Sequence, residues 1–144
     1  MQITKEKSTN ELENEIKAAD SADEYLTQNS EYLLKQSVSE ALNQALSRTD
    51  LSIAKIVKRS GLTKSHVYHI FNGKRIPSRD KLIAIAFGMG LGCDETNALL
   101  KKCYSAPLYS KNPRDAVIMF SLSHNKDIVE TNLELENQGF EVLA

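Results

Sequence analysis

In the stretch "LTKSHVYHIFNGKR", residues 62–75, five side chains carry most of the usable chemistry: Lys64, Ser65, His66, Tyr68 and His69. Val67, Ile70 and Phe71 recur among them at helical spacing, so the polar five share the face opposite the apolar residues. An ammonium, a hydroxyl, two imidazoles and a phenol offer hydrogen bonds to polar edges as well as ring faces for stacking. Beyond them Asn72-Gly73 breaks the helix, and Lys74 and Arg75 add two cations. Cations that neutralise phosphates, beside a helix face that can hydrogen-bond base edges, are the two requirements for reading double-stranded DNA through its major groove.

Other chemistries fit these residues less well. His66 and His69 stand three apart and could hold a metal, but no carboxylate or thiol lies near them in sequence to complete a ligand set, so no metal is expected. Ser65-His66 and Ser123-His124 are adjacent pairs with no third partner in view. There is no glycine-rich phosphate loop and no pair of carboxylates in a defined setting. An enzyme is therefore not expected, and neither is a cofactor. Cys93 and Cys103 lie ten apart without a CxxC pairing and read as reduced, core-type thiols, with a redox switch as the alternative. Two readings of Tyr68 stand open: contact with a base, or stacking on its own helix.

The charge pattern sharpens the nucleic-acid reading. The 144-residue chain has a formal net charge of −1, which alone says nothing of DNA. Residues 51–81, however, carry eight Lys/Arg against Asp80 alone, inside flanks that are net acidic. A solvated helix face is the bland explanation of such a run; its coincidence with the Lys64–His69 face favours DNA.

The elements needed to position that face are all helices; no period-2 strand pattern is present. Polar residues 9–19 suit a first helix, and 22–36 one helix or two short ones near Asn29-Ser30. Residues 38–48 place Val38, Ala41, Leu42, Ala45 and Leu46 in one stripe. Ser52 caps a helix over 53–59 whose Ile53, Ile56 and Val57 face inward. Gly61 supplies a left-handed turn residue, Leu62 plugs the corner, and Thr63 caps the helix that carries the polar face. Ser78 caps a helix with Leu82, Ile83, Ala86, Phe87 and Met89 in the core, ended by Gly90 or Gly92; "DETNALLKKCY" is amphipathic. Asn112, Pro113 and Asp115 mark another helix start, and a last helix spans about 126–137. Met119 and Phe120 read as core.

With these residues in place, "LSIAKIVKRSGLTKSHVYHIFNGKRIPSRDKLIAIAFGMGLGCDETNALLKKC" resembles the Xre/phage-repressor (lambda repressor/Cro)-like helix-turn-helix family. Its members share a five-helix bundle, the turn glycine, an "NGKR-P" segment and a following "LxxIAxxLG" helix; the resemblance covers roughly residues 36–104. It implies that Lys64, Ser65, His66, Tyr68 and His69 approach base edges. It further implies that Ser52, Asn72, Lys74 and Arg75 bind phosphates, a role assigned also to Thr63, with Gly61 and Gly73 as structural turns. Ile53 and Val57 depart from the Gln and Ala that the family often carries there, which removes a contact from position 53. The tail "NPRDAVIMFSLSHNKDIVETNLELENQGFEVL" is similar to tails of small bacterial regulators of this kind.

The expectation is thus an all-α protein: an N-terminal helical extension (1–35), a helix-turn-helix domain (36–105), and a C-terminal helical extension (106–144) packed on the core or forming a dimer interface. The expected function is sequence-specific transcriptional regulation through helix 63–72. The alternative is a protein-interaction module or antitoxin-type adaptor that uses the same fold as scaffold. Double-stranded DNA is the expected partner, with a homodimer and a protein partner also in view. The dimer would use stripes such as Tyr25, Leu26, Leu33 and Leu34, or Val117, Phe120, Ile128 and Leu133. A charged N-terminus and the absence of any window approaching ~18 apolar residues point to a cytoplasmic protein with no membrane segment.

Overall fold

The computed structural model describes residues 7–33 and 37–144; Leu34 and the expected domain boundary at 35/36 lie outside them. The chain divides into two compact units, Met1–Lys35 and Gln36–Ala144. In the first, α1 (Thr9–Ala18) and α2 (Ala22–Gln28) start at Ser8 and Ser21, and a 3-10 turn follows at Ser30–Tyr32. Lys7 ties this unit together. Its ammonium bonds Glu15 at 2.7 Å and the buried Asn29 at 2.8 Å, and lies 5.2 Å over the Tyr32 ring. Tyr25 and Leu33 are half-buried, whereas Leu26 is exposed.

The second unit contains α3 (Val38–Ser47), α4 (Ile53–Ser60), α5 (Lys64–Phe71), α6 (Arg79–Met89), α7 (Cys93–Lys102), α8 (Pro113–Ser123) and α9 (Ile128–Asn137). All the described elements of the chain are helical. Each start has a local cause. The hydroxyls of Ser37, Ser52, Thr63 and Ser78, the Asn112 amide oxygen and the Asp127 carboxylate each accept a first-turn backbone N–H. At α7, where Gly92 has no side chain, Glu95 reaches back to the Gly92 N–H.

The buried helix α6 is the axis of the core: every residue from Leu82 to Met89 is buried. It packs against α4 at close range because Gly88 has no side chain. A Cβ there would stand 3.0 Å from Ile56 Cγ2 and 3.1 Å from the Ile56 carbonyl oxygen. Leu42, Ile56, Val67, Ile70, Leu100, Ile118 and Leu135 complete a continuous apolar cluster, so α8 and α9 are built on the same core as α3–α7. Phe120 and Leu133 depart from the stripe reading: they are 55% and 58% exposed. Helical spacing placed them on apolar faces, but Ile118, Leu122, Thr131 and Leu135 take the core-facing positions of their helices.

Two ion pairs fasten α8 to the start of α6. Arg79 donates to both carboxylate oxygens of Asp115, at 3.0 and 2.8 Å, and also to the carbonyls of Ala106 and Pro107. Arg114 grips both oxygens of Asp80, at 2.9 and 3.0 Å, and its Nε donates to the Glu141 carbonyl. Two Arg-Asp dipeptides, each in the first turn of its helix, thus pair crosswise in planar two-point contacts. The chain end lies against the turn between α4 and α5: Leu143 is buried, and a Cβ on Gly61 would stand 3.6 Å from Ala144 Cβ.

Candidate nucleic-acid interface

Helix α5 is held from both ends. At its start, Ser60 is fully buried and its hydroxyl accepts the Leu62 N–H at 3.2 Å, shaping the corner that Gly61 turns at φ 75°. The Thr63 hydroxyl accepts the His66 N–H. At its end, Asn43 of α3 donates to the Phe71 carbonyl at 2.8 Å, satisfying a group that the helix leaves open. Asn72 then accepts the Lys74 N–H, Gly73 turns at φ 83°, and the Arg75 N–H bonds the His69 carbonyl. The inner face is sealed by Val67, Ile70 and Phe71, all buried.

The outer face therefore has a fixed composition. Lys64, Ser65, Tyr68 and His69 are exposed, as are Ser52, Thr63, Asn72, Lys74 and Arg75 around it. Lys64 Nζ lies 5.8 Å over the Tyr68 ring, one turn along. A cation–π contact at an exposed site amounts to ~0.5–1 kcal/mol, little enough for a ligand to displace. Ser52 and Thr63 use their oxygens as cap acceptors and keep their hydroxyl hydrogens for an outside acceptor.

His66 differs from the expectation of an outward-pointing side chain. It is half-buried, and Arg75 Nη1 lies 2.9 Å from its Nδ1. A guanidinium has no acceptor, so Nδ1 accepts and the ring proton sits on Nε2. Nε2 is shielded and has no partner among the described residues. Burial first, then Lys81, Arg75 and His69, push this imidazole below its ordinary 6.5, so it stays neutral. Its position holds the Arg75 guanidinium next to α5.

The basic segment also divides in space. Arg79 is spent on Asp115, while Lys55, Lys58 and Arg59 line a cavity to which α5 contributes no residue. Lys64, Lys74, Arg75 and Lys81 remain around α5, with no acidic partner within 4.0 Å among the described residues. Sequence reading missed three neighbours of this face. Lys81 is close enough to His66 to act on its titration. Asn43 carries no local signal. Ile76 is 82% exposed between Arg75 and Pro77, and its only sign in sequence is its place in the "NGKRIP" run.

Residues 45–95 match the sequence model of a family described as Helix-turn-helix. This segment is a helix-turn-helix domain of the Xre/lambda-repressor type. The match runs from the last turn of α3 through α4, α5 and α6 into α7, leaving the N-terminal unit, α8 and α9 outside. Domains of this type mark DNA-binding regulators in general. Neither a curated protein nor a solved structure matches the chain. No helix among the described residues is long and apolar enough to cross a membrane, and none of their His, Cys, Asp and Glu side chains form a group suited to a metal ion.

Proposed function

We propose that the protein is a cytoplasmic, non-catalytic transcriptional regulator that binds specific duplex sequences by laying α5 in the major groove. The observation that carries this reading is the two-sided character of α5. Val67, Ile70 and Phe71 are sealed into the core, while Lys64, Ser65, Tyr68 and His69 stand outward beside Lys74, Arg75 and Lys81, which have no carboxylate within 4.0 Å among the described residues. Lys64, Ser65, Tyr68 and His69 read base edges. Lys74, the Asn72 amide and the Ser52 and Thr63 hydroxyls bind phosphates. His66 serves the interface chiefly by positioning Arg75 for the same backbone.

The test is the salt dependence of binding to a selected duplex. Lys74→Ala and Arg75→Ala are each expected to weaken binding to all sequences alike and to flatten the slope of log K against log[salt] by about one unit per lost phosphate contact. An unchanged slope with an altered sequence preference would overturn the phosphate assignment. Absence of any duplex binding at low salt would favour the alternative, a protein-interaction module or antitoxin-type adaptor on the same scaffold.

A single such domain spans one half-site, and dimers read two half-sites ~34 Å apart. Exposed Phe120 and Leu133 on the C-terminal helices support a two-fold interface there; Phe120 is stacked on His124 at 4.0 Å between ring centroids. Ile128 belongs instead to the core, and Val117 is half-buried. Light scattering should find a dimer that Phe120→Glu with Leu133→Glu converts to a monomer.

A further inference from the structure

A cavity of about 560 Å³ opens where α4, the end of α6 and the α8–α9 connection meet. That volume falls within the ~300–1,000 Å³ of pockets that enclose small organic ligands. Its floor is apolar: Phe87, Leu122 and Ile128 are each less than a tenth exposed, and Leu91 is half-buried beside them. Its rim is cationic. Lys55, Lys58 and Arg59 come from one face of α4, and Lys126 from the connection before α9. None of the four has a carboxylate within 4.0 Å among the described residues. The one acidic residue of the lining, Asp127, accepts the Glu130 N–H as the cap of α9.

Exposed lysines along one helix are ordinarily a solvated face. Here cations from two separate elements converge on one mouth above buried carbon. A DNA backbone would use the cations but has no use for the apolar floor, and α5 contributes no residue to the lining. We propose that this cavity is a binding site for a small amphipathic anion: a carboxylate or phosphate monoester head held by Lys55, Lys58, Arg59 and Lys126, with an unbranched or aromatic body over Phe87, Leu91, Leu122 and Ile128. The site stands independently of the DNA-reading proposal.

Titration calorimetry on the full chain, with decanoate and decyl phosphate as probes and decyltrimethylammonium and inorganic phosphate as controls, tests it. The two anions should bind at one site per chain, and their relative affinities identify which head group the site prefers. The cationic analogue should not bind, and inorganic phosphate should bind roughly tenfold or more weakly than decyl phosphate, because it leaves the floor unused. Lys58→Glu with Arg59→Glu should reduce anion affinity at least roughly tenfold. Val129 lies at the mouth and is 72% exposed, so Val129→Trp should block the site without disturbing the fold. Lys74→Ala should leave anion binding unchanged. No binding of either anion, equal binding of the cationic analogue, or undiminished binding in both the charge-reversal and Val129→Trp proteins would each overturn the proposal. So would a charge-reversal protein that loses DNA affinity while the wild type takes up neither anion, since the cations would then be a phosphate-backbone surface.

Discussion

Replacing Asp115 with alanine should unfasten α8 from the helix-turn-helix domain. Asp115 is buried, and its carboxylate accepts three bonds: two from Arg79, at 3.0 and 2.8 Å, and one from the Tyr109 N–H at 3.0 Å. Removing one partner of a fully buried pair costs about 3–5 kcal/mol, because the other charge is left without compensation. The Arg79 side chain retains 28% of its exposure and keeps two backbone carbonyls, so water can rehydrate part of the guanidinium. The cost should therefore fall to about 2–3 kcal/mol, or a loss of about 8–12 °C in Tm at roughly 4 °C per kcal/mol for a domain of this size. In the companion pair the carboxylate is the exposed partner, with the Asp80 side chain at 36% against 8% for Asp115, and Arg114, at 21%, keeps the Glu141 and Val142 carbonyls when Asp80 is removed. Asp80→Ala should consequently cost only about 1 kcal/mol. Thermal unfolding followed by circular dichroism distinguishes the two. A Tm change of less than about 2 °C for Asp115→Ala, or an equal loss for Asp80→Ala, would refute this ranking of the two pairs. The effect also has a pH signature. Burial would raise the Asp115 carboxyl, but the Arg79 bonds, the Tyr109 amide and the nearby Arg114 outweigh it and hold the group below its ordinary 3.8. Its folded-state value being depressed, the stabilisation is complete above 3.8 and lost as pH falls through the lower folded value; the Ala variant should lack that acid-side loss.

Gly88→Ala should destabilise the domain by roughly 1–3 kcal/mol, since its methyl would press on Ile56 Cγ2 and on the Ile56 carbonyl, a backbone atom that no side-chain change removes. Retained stability in Gly88→Ala would mean that α4 and α6 are not in such close contact. His66 should titrate below 6.5 by NMR, so stability that depends on its neutral form should fall as pH drops below 6.5 and the unfolded chain takes up the proton first; a value at or above 6.5 would contradict its burial beside Arg75. Burial pushes the Cys103 thiol up to about 11, so at neutral pH it should resist thiol reagents in the native protein and react at the ordinary rate only after denaturation.

Much of this architecture was legible because it is locally encoded. The caps at Ser52, Thr63, Ser78 and Asn112, the positive-φ turns at Gly61 and Gly73, and the Gly90 helix end each depend on residues a few positions apart. The features that escaped are long-range. Arg79–Asp115 and Arg114–Asp80 join residues more than thirty apart, and the charge count over residues 51–81 includes Arg79 without any sign that Asp115 neutralises it. The close approach at Gly88 was hidden because a glycine in a helix carries no mark of the neighbour it admits. His66 shared the polar face by periodicity, yet the following loop folds Arg75 back onto its ring. Phe120 and Leu133 were apolar and correctly spaced, but a helix bordering solvent buries only a stripe, and they lie outside it.

The central claim is that the outward face of α5 reads DNA sequence. Selection of bound duplexes from a random pool by the full chain, repeated with Lys64→Ala, Tyr68→Ala and His69→Ala, tests it most directly. The wild type should enrich a single motif, repeated as a palindrome if the protein dimerises. Each substitution should relax the preference at the positions its side chain reads, and a lost direct base contact should weaken binding to the wild-type motif by ~1–3 kcal/mol. Failure to enrich any motif, or recovery of the same motif at the same affinity by all three variants, would contradict the claim.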